Sequence, residues 1–194
     1  MTKVDKIKEI VDKNDGILTM SMLEQNNIHR QYLKVLADNG YLEKVARGVY
    51  VRADKSVNDF YIIGEQYKTG IFSHNTALYF YNLTDRTPFI LDMTFPSNIR
   101  PSNAMLNIHY INKERHKIGL VTKVLEDGSS IRIYNMERTI CDIIRDRNKT
   151  DTQILNTALK EYMKRQDKNL NLLYEYAKIF KITKILKTYM EVLA

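Results

Sequence analysis

A helical run closed by glycine, followed at once by a tight cationic hairpin, is the feature that most narrows what this chain can fold into. "HRQYLKVLADNG" reads as a helix with Leu33, Leu36 and Ala37 on one side and Gly40 just past its end. "LEKVARGVYVR" then reads as two short strands around an Arg47-Gly48 turn. Upstream, Val4, Ile7, Ile10 and Val11 recur at helical spacing, and Gly16 ends that helix. "ILT" is a short extended piece. Ser21 with Glu24 three residues on has the pattern of a capping box, opening a short helix that stops near Asn26-Asn27. Helix, short strand, helix, turn, helix, hairpin is the order expected of a winged helix-turn-helix.

That order assigns roles to particular side chains. At roughly 100° per residue, Tyr32, Leu33 and Leu36 gather on one face of the third helix, while Arg30, Gln31 and Lys34 fall on the other. A recognition helix offers its first turns to base edges in the major groove. Arg suits guanine and Gln suits adenine through paired hydrogen bonds. His29 stands at the helix start, where a phosphate is favoured. Lys44, Arg47 and Arg52 in the hairpin can reach the sugar-phosphate backbone or the minor groove. The candidate DNA-binding set is therefore His29, Arg30, Gln31, Lys34, Lys44, Arg47 and Arg52.

The rest of the chain changes character twice. "ADKSVND" (53–59) is polar and reads as a linker, which places a winged helix-turn-helix at 1–54 and a C-terminal domain at 59–194. "FYIIGEQYK" and "SHNTALYFYNL" suit helices, the second capped by Ser73. From Pro88 to about Ile133 the runs are β-rich, with "EDGSS" as a turn before "IRIY". From Met136 onward the sequence is helical and free of proline. The expected fold class is α+β: a winged helix-turn-helix, then a mixed domain with an antiparallel sheet and a helical bundle.

The chain has 194 residues and a net charge of +7, a balance that suits a polyanionic partner. A single cysteine, Cys141, excludes an internal disulfide framework and fits a reducing, cytoplasmic setting. The first residues lack the continuous apolar run of an export signal, and no stretch suits a membrane span, so no membrane partner is expected.

A catalytic reading finds little support. There is no Asp-x-Asp to gather metal ions for nucleotidyl transfer. Asp92, Glu137 and Asp142 are the carboxylates a metal-dependent nuclease would draw on, but Asp92 reads as the wet face of its strand. Cys141 lies beside Ile140 and Ile144 and reads as a buried thiol. The four histidines lack ligand spacing. His74 is expected to cap or pack its helix, and His116 to sit in a basic loop. No catalytic residue, metal or cofactor is expected. At the C-terminal end, Ile179, Ile182, Ile185, Leu186, Tyr189 and Leu193 form an apolar stripe, with Lys181, Lys184 and Lys187 broadly opposite and Lys160, Lys164 and Arg165 as a second basic group. Lys160, Lys164, Arg165, Lys181 and Lys184 are the candidates for a further polyanion surface, for RNA or for the nucleic-acid partner of the toxin, against the plain alternative of a solvated lysine face.

Four pieces in order, "LADNGYLEKV", "RGVYV", "FSHNTALYFYNL" and "NMERTICDIIRDR", carry a resemblance to the AbiEi family, the antitoxins of type IV toxin–antitoxin systems linked to phage abortive infection. The resemblance implies a cytosolic, two-domain, non-enzymatic protein. Its first domain would repress its own operon at inverted repeats on double-stranded operator DNA. Its second would oppose a nucleotidyltransferase-like toxin without a stable complex. The alternative is an unrelated winged-helix transcription regulator with a ligand- or protein-sensing C-terminal domain. A third reading is an interaction protein that neutralises its partner by contact.

Overall fold

The computed structural model describes residues 2–193. Contacts divide the chain into two compact units. One comprises the chain up to Lys68 together with Val124–Ile131, and the other Thr69–Lys123 with the chain from Arg132 on. This division falls later than the polar stretch 53–59, because helix Asp59–Gln66 groups with the first unit.

The first unit runs α1 (Lys3–Lys13), β1 (Ile17–Thr19), α2 (Met20–Gln25), α3 (Gln31–Asp38), β2 (Leu42–Ala46), β3 (Val49–Arg52) and α4 (Asp59–Gln66). Thr2 opens α1 with a capping box: its hydroxyl accepts from the Asp5 amide, and the Asp5 carboxylate accepts from the Thr2 amide. The box expected at Ser21 does not form. The extended Thr19 is the N-cap of α2, and Ser21 lies inside the helix with its Oγ 2.9 Å from Thr19 Oγ1. Gly40 follows the end of α3 at φ +69, and the Gly40 and Tyr41 amides donate to the Ala37 and Leu36 carbonyls. The three strands form an antiparallel sheet in the order β1-β3-β2. Ile7, Val11, Leu18, Leu23, Leu33, Leu36 and Leu42 close the core beneath it. This is a winged helix-turn-helix.

The second unit holds β4 (Ile71–Phe72), α5 (His74–Phe80), β5 (Leu91–Pro96), β6 (Leu106–Ile111), α6 (Lys113–His116), α7 (Met136–Arg145), α8 (Thr152–Lys164), α9 (Leu170–Ile179) and α10 (Thr183–Leu193). The strands β7 (Leu120–Val124) and β8 (Ser130–Tyr134) complete a five-stranded sheet in the order β6-β5-β4-β8-β7. The sheet is mixed rather than antiparallel throughout, since β5 pairs parallel with β6 and β4 parallel with β8. A strand read alone carries no direction, and β4 has only two residues, so its place between β5 and β8 is invisible in the sequence.

Helix α7 is the axis of the second core. Every residue from Met136 to Ile144 is buried, including Glu137, Arg138 and Asp142. Charges so placed need partners. Glu137 accepts from the Tyr162 hydroxyl and the Asn169 amide, at 3.2 and 3.0 Å. Arg138 Nε donates to Asp142, and its Nη1 donates to the Arg115 and Ile118 carbonyls. The Arg138 guanidinium also lies 4.0 and 4.2 Å from the Tyr134 and Phe180 rings. The C-terminal helical stretch that carries the apolar stripe is broken between α9 and α10. Lys181 takes φ +59 between α9 and α10, and Phe180, Ile182, Leu186 and Met190 turn inward around the break. The Leu193 side chain, read into that stripe, lies outside the described residues.

Candidate functional site

Helix α3 presents an exposed face made of Gln31, Lys34, Val35 and Asp38, the i, i+3, i+4, i+7 set opposite the buried Leu33 and Leu36. Arg30 is the exposed N-cap residue. The His29 ring closes the helix start, its Nδ1 accepting from the Gln31 amide at 3.3 Å. His29 thus occupies a helix-start amide itself. Val35, which the charge pattern passed over, is 47% exposed in the middle of this face. It is an exposed apolar side chain, the chemistry that suits a thymine methyl.

The hairpin β2–β3 carries the other group. Leu42 faces Arg52, Lys44 faces Tyr50 and Ala46 faces Val49, with a bulge between Lys44 and Ala46. A bulge re-aims the side chains beside it, and Lys44, Val45 and Arg47 are all exposed at this end. Gly48 takes φ +78 in the turn, and its carbonyl accepts from the Met20 amide, tying the wing to the start of α2. Arg52 stands apart. Its guanidinium pairs with Asp12 and Asp54, both at 2.6 Å, which removes it from the cations able to meet phosphate freely.

The C-terminal cations are dispersed. Lys160 and Lys164 are exposed on α8, and Lys164 pairs with Glu161 at 2.6 Å. Arg165 pairs with Asp167 and donates to the Tyr81 carbonyl. Lys181 lies in the break before α10 and Lys184 in its first turn, so the two do not share one helix face.

The second unit also gathers polar groups that sequence spacing keeps far apart. His74 opens α5 at φ +45 and is buried. His109 lies on β6, and their rings stack with centroids 3.5 Å apart and planes within 10°. Asp146, the residue capping the C-terminus of α7, places Oδ2 3.3 Å from His74 Nε2 and 3.6 Å from His109 Nδ1. Asp92 is not on a wet face: it is 2% exposed, and its Oδ1 receives His109 Nε2 at 2.6 Å and Asn107 Nδ2 at 2.7 Å. Burial opposes charge on His109, but its contacts with Asp146 and Asp92 override that and push its pKa up to about 9. The same contacts, with His109 first and His74 second, hold the Asp146 carboxyl far below the usual range.

The remaining residues singled out for chemistry are structural. His116 does not sit in a loop; it ends α6, is buried, and has Nε2 3.1 Å from the Thr94 carbonyl. Glu137 and Asp142 are held in the α7 network, with partners separate from those of Asp92. Cys141 is fully buried, and burial pushes its thiol up to about 12. Among the described residues no helix is long and apolar enough to cross a membrane.

No curated protein matches the chain. A family match lies within the first unit, from α1 through β3, and stops before the downstream pieces that also carried the resemblance. Residues 5–53 match the family model described as transcriptional regulator, AbiEi antitoxin.

Proposed function

We propose that this protein is an antitoxin of a type IV toxin–antitoxin system that represses its own operon. The observation that carries the reading is the joint exposure of Arg30, Gln31, Lys34 and Val35 on α3 and of Lys44 and Arg47 on the wing, within the matched segment 5–53. In this reading α3 enters the major groove, Arg30 and Gln31 read base edges, and Lys44 and Arg47 hold phosphates. Asp38, at the far end of the same face, turns the C-terminal end of α3 away from the backbone.

The operator would be an inverted repeat with half-sites near whole helical turns apart. The segment 1–54 carries operator binding, and 59–194 opposes a nucleotidyltransferase-like toxin in the cytoplasm without a stable complex. This supports resistance to phage by abortive infection. Two groups of evidence favour it over an unrelated regulator: the family match and the downstream pieces "FSHNTALYFYNL" and "NMERTICDIIRDR".

The test is a gel shift on the DNA upstream of the gene, paired with growth under induced toxin. Arg30→Ala or Gln31→Ala should each cost roughly 1–3 kcal/mol of binding and relax sequence preference. Unchanged operator binding by the Arg30/Gln31/Lys34 triple alanine variant would overturn the recognition-helix assignment. Failure of the full chain to rescue cells from the toxin would leave a regulator without antitoxin activity.

A further inference from the structure

The winged unit leaves the histidine centre of the second unit without a role. Among the described residues, His74, His109 and Asp146 bring three ligand atoms within 4.8 Å of one another. They come from three separate elements, α5, β6 and the end of α7. A tetrahedral zinc ion with ligands at 2.0–2.2 Å spaces those ligands roughly 3.4 Å apart. Asp146 Oδ2 lies 3.3 Å from His74 Nε2 and 3.6 Å from His109 Nδ1, which is that spacing.

Each imidazole is also oriented from behind. Asp92 Oδ1 lies 2.6 Å from His109 Nε2 and is itself steadied by Asn107. When an ion displaces the Nδ1 proton of His109, the remaining proton on Nε2 is donated to Asp92 and the Nδ1 lone pair serves the ion. Ser73 Oγ lies 3.0 Å from His74 Nδ1 and accepts from Thr94 Oγ1 at 2.8 Å. A proton on Nδ1 donated to Ser73 leaves the His74 Nε2 lone pair facing the centre. A carboxylate behind histidine, as Asp92 is behind His109, is what metal-ligating imidazoles use, and the Ser73 hydroxyl offers His74 an acceptor in the same place.

A second observation is independent of the cluster's composition. His74 is 3% exposed, yet its buried Nε2 has no hydrogen-bond partner. Asp146 Oδ2 lies 3.3 Å away, near enough for an ionic contact. A buried ring nitrogen left this way carries a desolvation cost that a bound ion removes.

We propose that His74 Nε2, His109 Nδ1 and Asp146 Oδ2 form a site for a divalent transition ion of the zinc class, with the fourth position open. Two imidazoles and one carboxylate select such an ion over magnesium or calcium, which take oxygen ligands. The His109 and Asp146 side chains are 17% and 26% exposed, so the centre opens to solvent on their side, and a water molecule or an external donor takes the fourth position. In-plane lone pairs cannot meet one ion from two parallel rings. Binding therefore tilts the imidazoles out of their stack about the nitrogens held by Asp92 and Ser73, a motion that the soft second torsion of histidine allows. Arg145, whose Nε is 3.8 Å from Asp146 Oδ1, remains on the outer oxygen.

The test uses the full chain without an oligohistidine tag, stripped with a chelator and titrated with Zn²⁺ against a chromophoric competitor. Co²⁺ replaces Zn²⁺ for visible absorption. The expected result is one ion per chain and the intense d–d bands of tetrahedral Co²⁺. Asp146→Asn and His74→Gln should each weaken binding at least about a hundredfold, and Asp92→Asn by about ten- to a hundredfold. Circular dichroism checks that each variant is folded. Because Co²⁺ absorption is read on the unaltered chain, the proposal stands or falls even if a variant does not fold. Weak, multiple or octahedral Co²⁺ binding by the unaltered chain overturns it, as does undiminished binding by a folded Asp146→Asn/His74→Gln variant.

Discussion

Arg138 and Asp142 form an ion pair at 2.9 Å in which neither side chain is exposed at all. The pair is one turn apart on α7, and it anchors the backbone of α6 and the turn after it, because Arg138 also donates to the Arg115 and Ile118 carbonyls. Breaking such a pair by removing one partner leaves a buried charge and typically costs about 3–5 kcal/mol. Arg138→Met keeps most of the volume and removes the charge. Its urea midpoint should fall by an amount equivalent to about 3–5 kcal/mol; a loss under about 1 kcal/mol would show that Arg145, 3.0 Å from Asp142, compensates fully.

Gly119 sits against that pair. It takes φ +77, and an added Cβ would lie 2.5 Å from Arg138 Cβ. Gly128, at φ +83 in the tip between β7 and β8, has nothing within 4 Å of the same position. Alanine at Gly128 should cost only the left-handed strain, about 1–2 kcal/mol. Alanine at Gly119 should cost clearly more, because buried side-chain carbons must move. Thermal melting of the two variants side by side checks the order, and equal melting points would contradict it.

The two wing arginines should separate by function. Arg47 is exposed at the hairpin turn, while Arg52 is tied to Asp12 and Asp54. Arg47→Ala should make the dependence of operator affinity on log salt shallower by about one unit. Arg52→Ala should leave that slope unchanged. The measurement is a salt titration of binding for both variants, and an equal drop in slope would place Arg52 at a phosphate after all.

Reversing the charge of Lys160, Lys164, Lys181 and Lys184 should leave the fold intact, since all four are exposed. Substitutions of this kind usually fall within about 0.5 kcal/mol per site. If they hold a polyanion, the glutamate variant melts normally, binds operator normally and no longer rescues cells from the toxin. Full rescue by that variant would return them to the solvated surface, and antitoxin activity would be sought next around His74 and Asp146.

His116 should titrate below the ordinary histidine value. Burial lowers its pKa first, and the nearby Arg138 and Lys117 charges add to it, against the favourable Thr94 carbonyl contact. With the folded value below the unfolded one, the unfolded chain binds the proton first. The contribution of His116 is therefore complete above about pH 6.5 and is lost as pH falls below it. Histidine NMR shifts followed from pH 8 downward should give His116 a midpoint under 6.5. A midpoint at or above that value would mean that the carbonyl contact outweighs burial.

Local rules acted within the first fifty residues, so the sequence alone determined their architecture. The apolar spacing of Ile7, Ile10 and Val11, the glycine after α3 and the Arg47-Gly48 turn each settle a few consecutive dihedrals. The exposed cations of α3 followed from the same periodicity, because the face opposite Leu33 and Leu36 has nowhere to go but solvent. Tertiary structure alone decided the rest. The direction of β4, β5 and β6 depends on which strands become neighbours, and a two-residue strand at the centre has too little pattern to announce itself. Arg52 looked free until Asp12 came alongside it. Asp92 looked wet because alternation along one strand cannot tell that both of its faces will be covered, as they are throughout β5. His74, His109 and Asp146 share no sequence period at all. They meet because a helix start, a strand and a helix end converge, and convergence of distant segments is a property of packing, which no local window of residues contains.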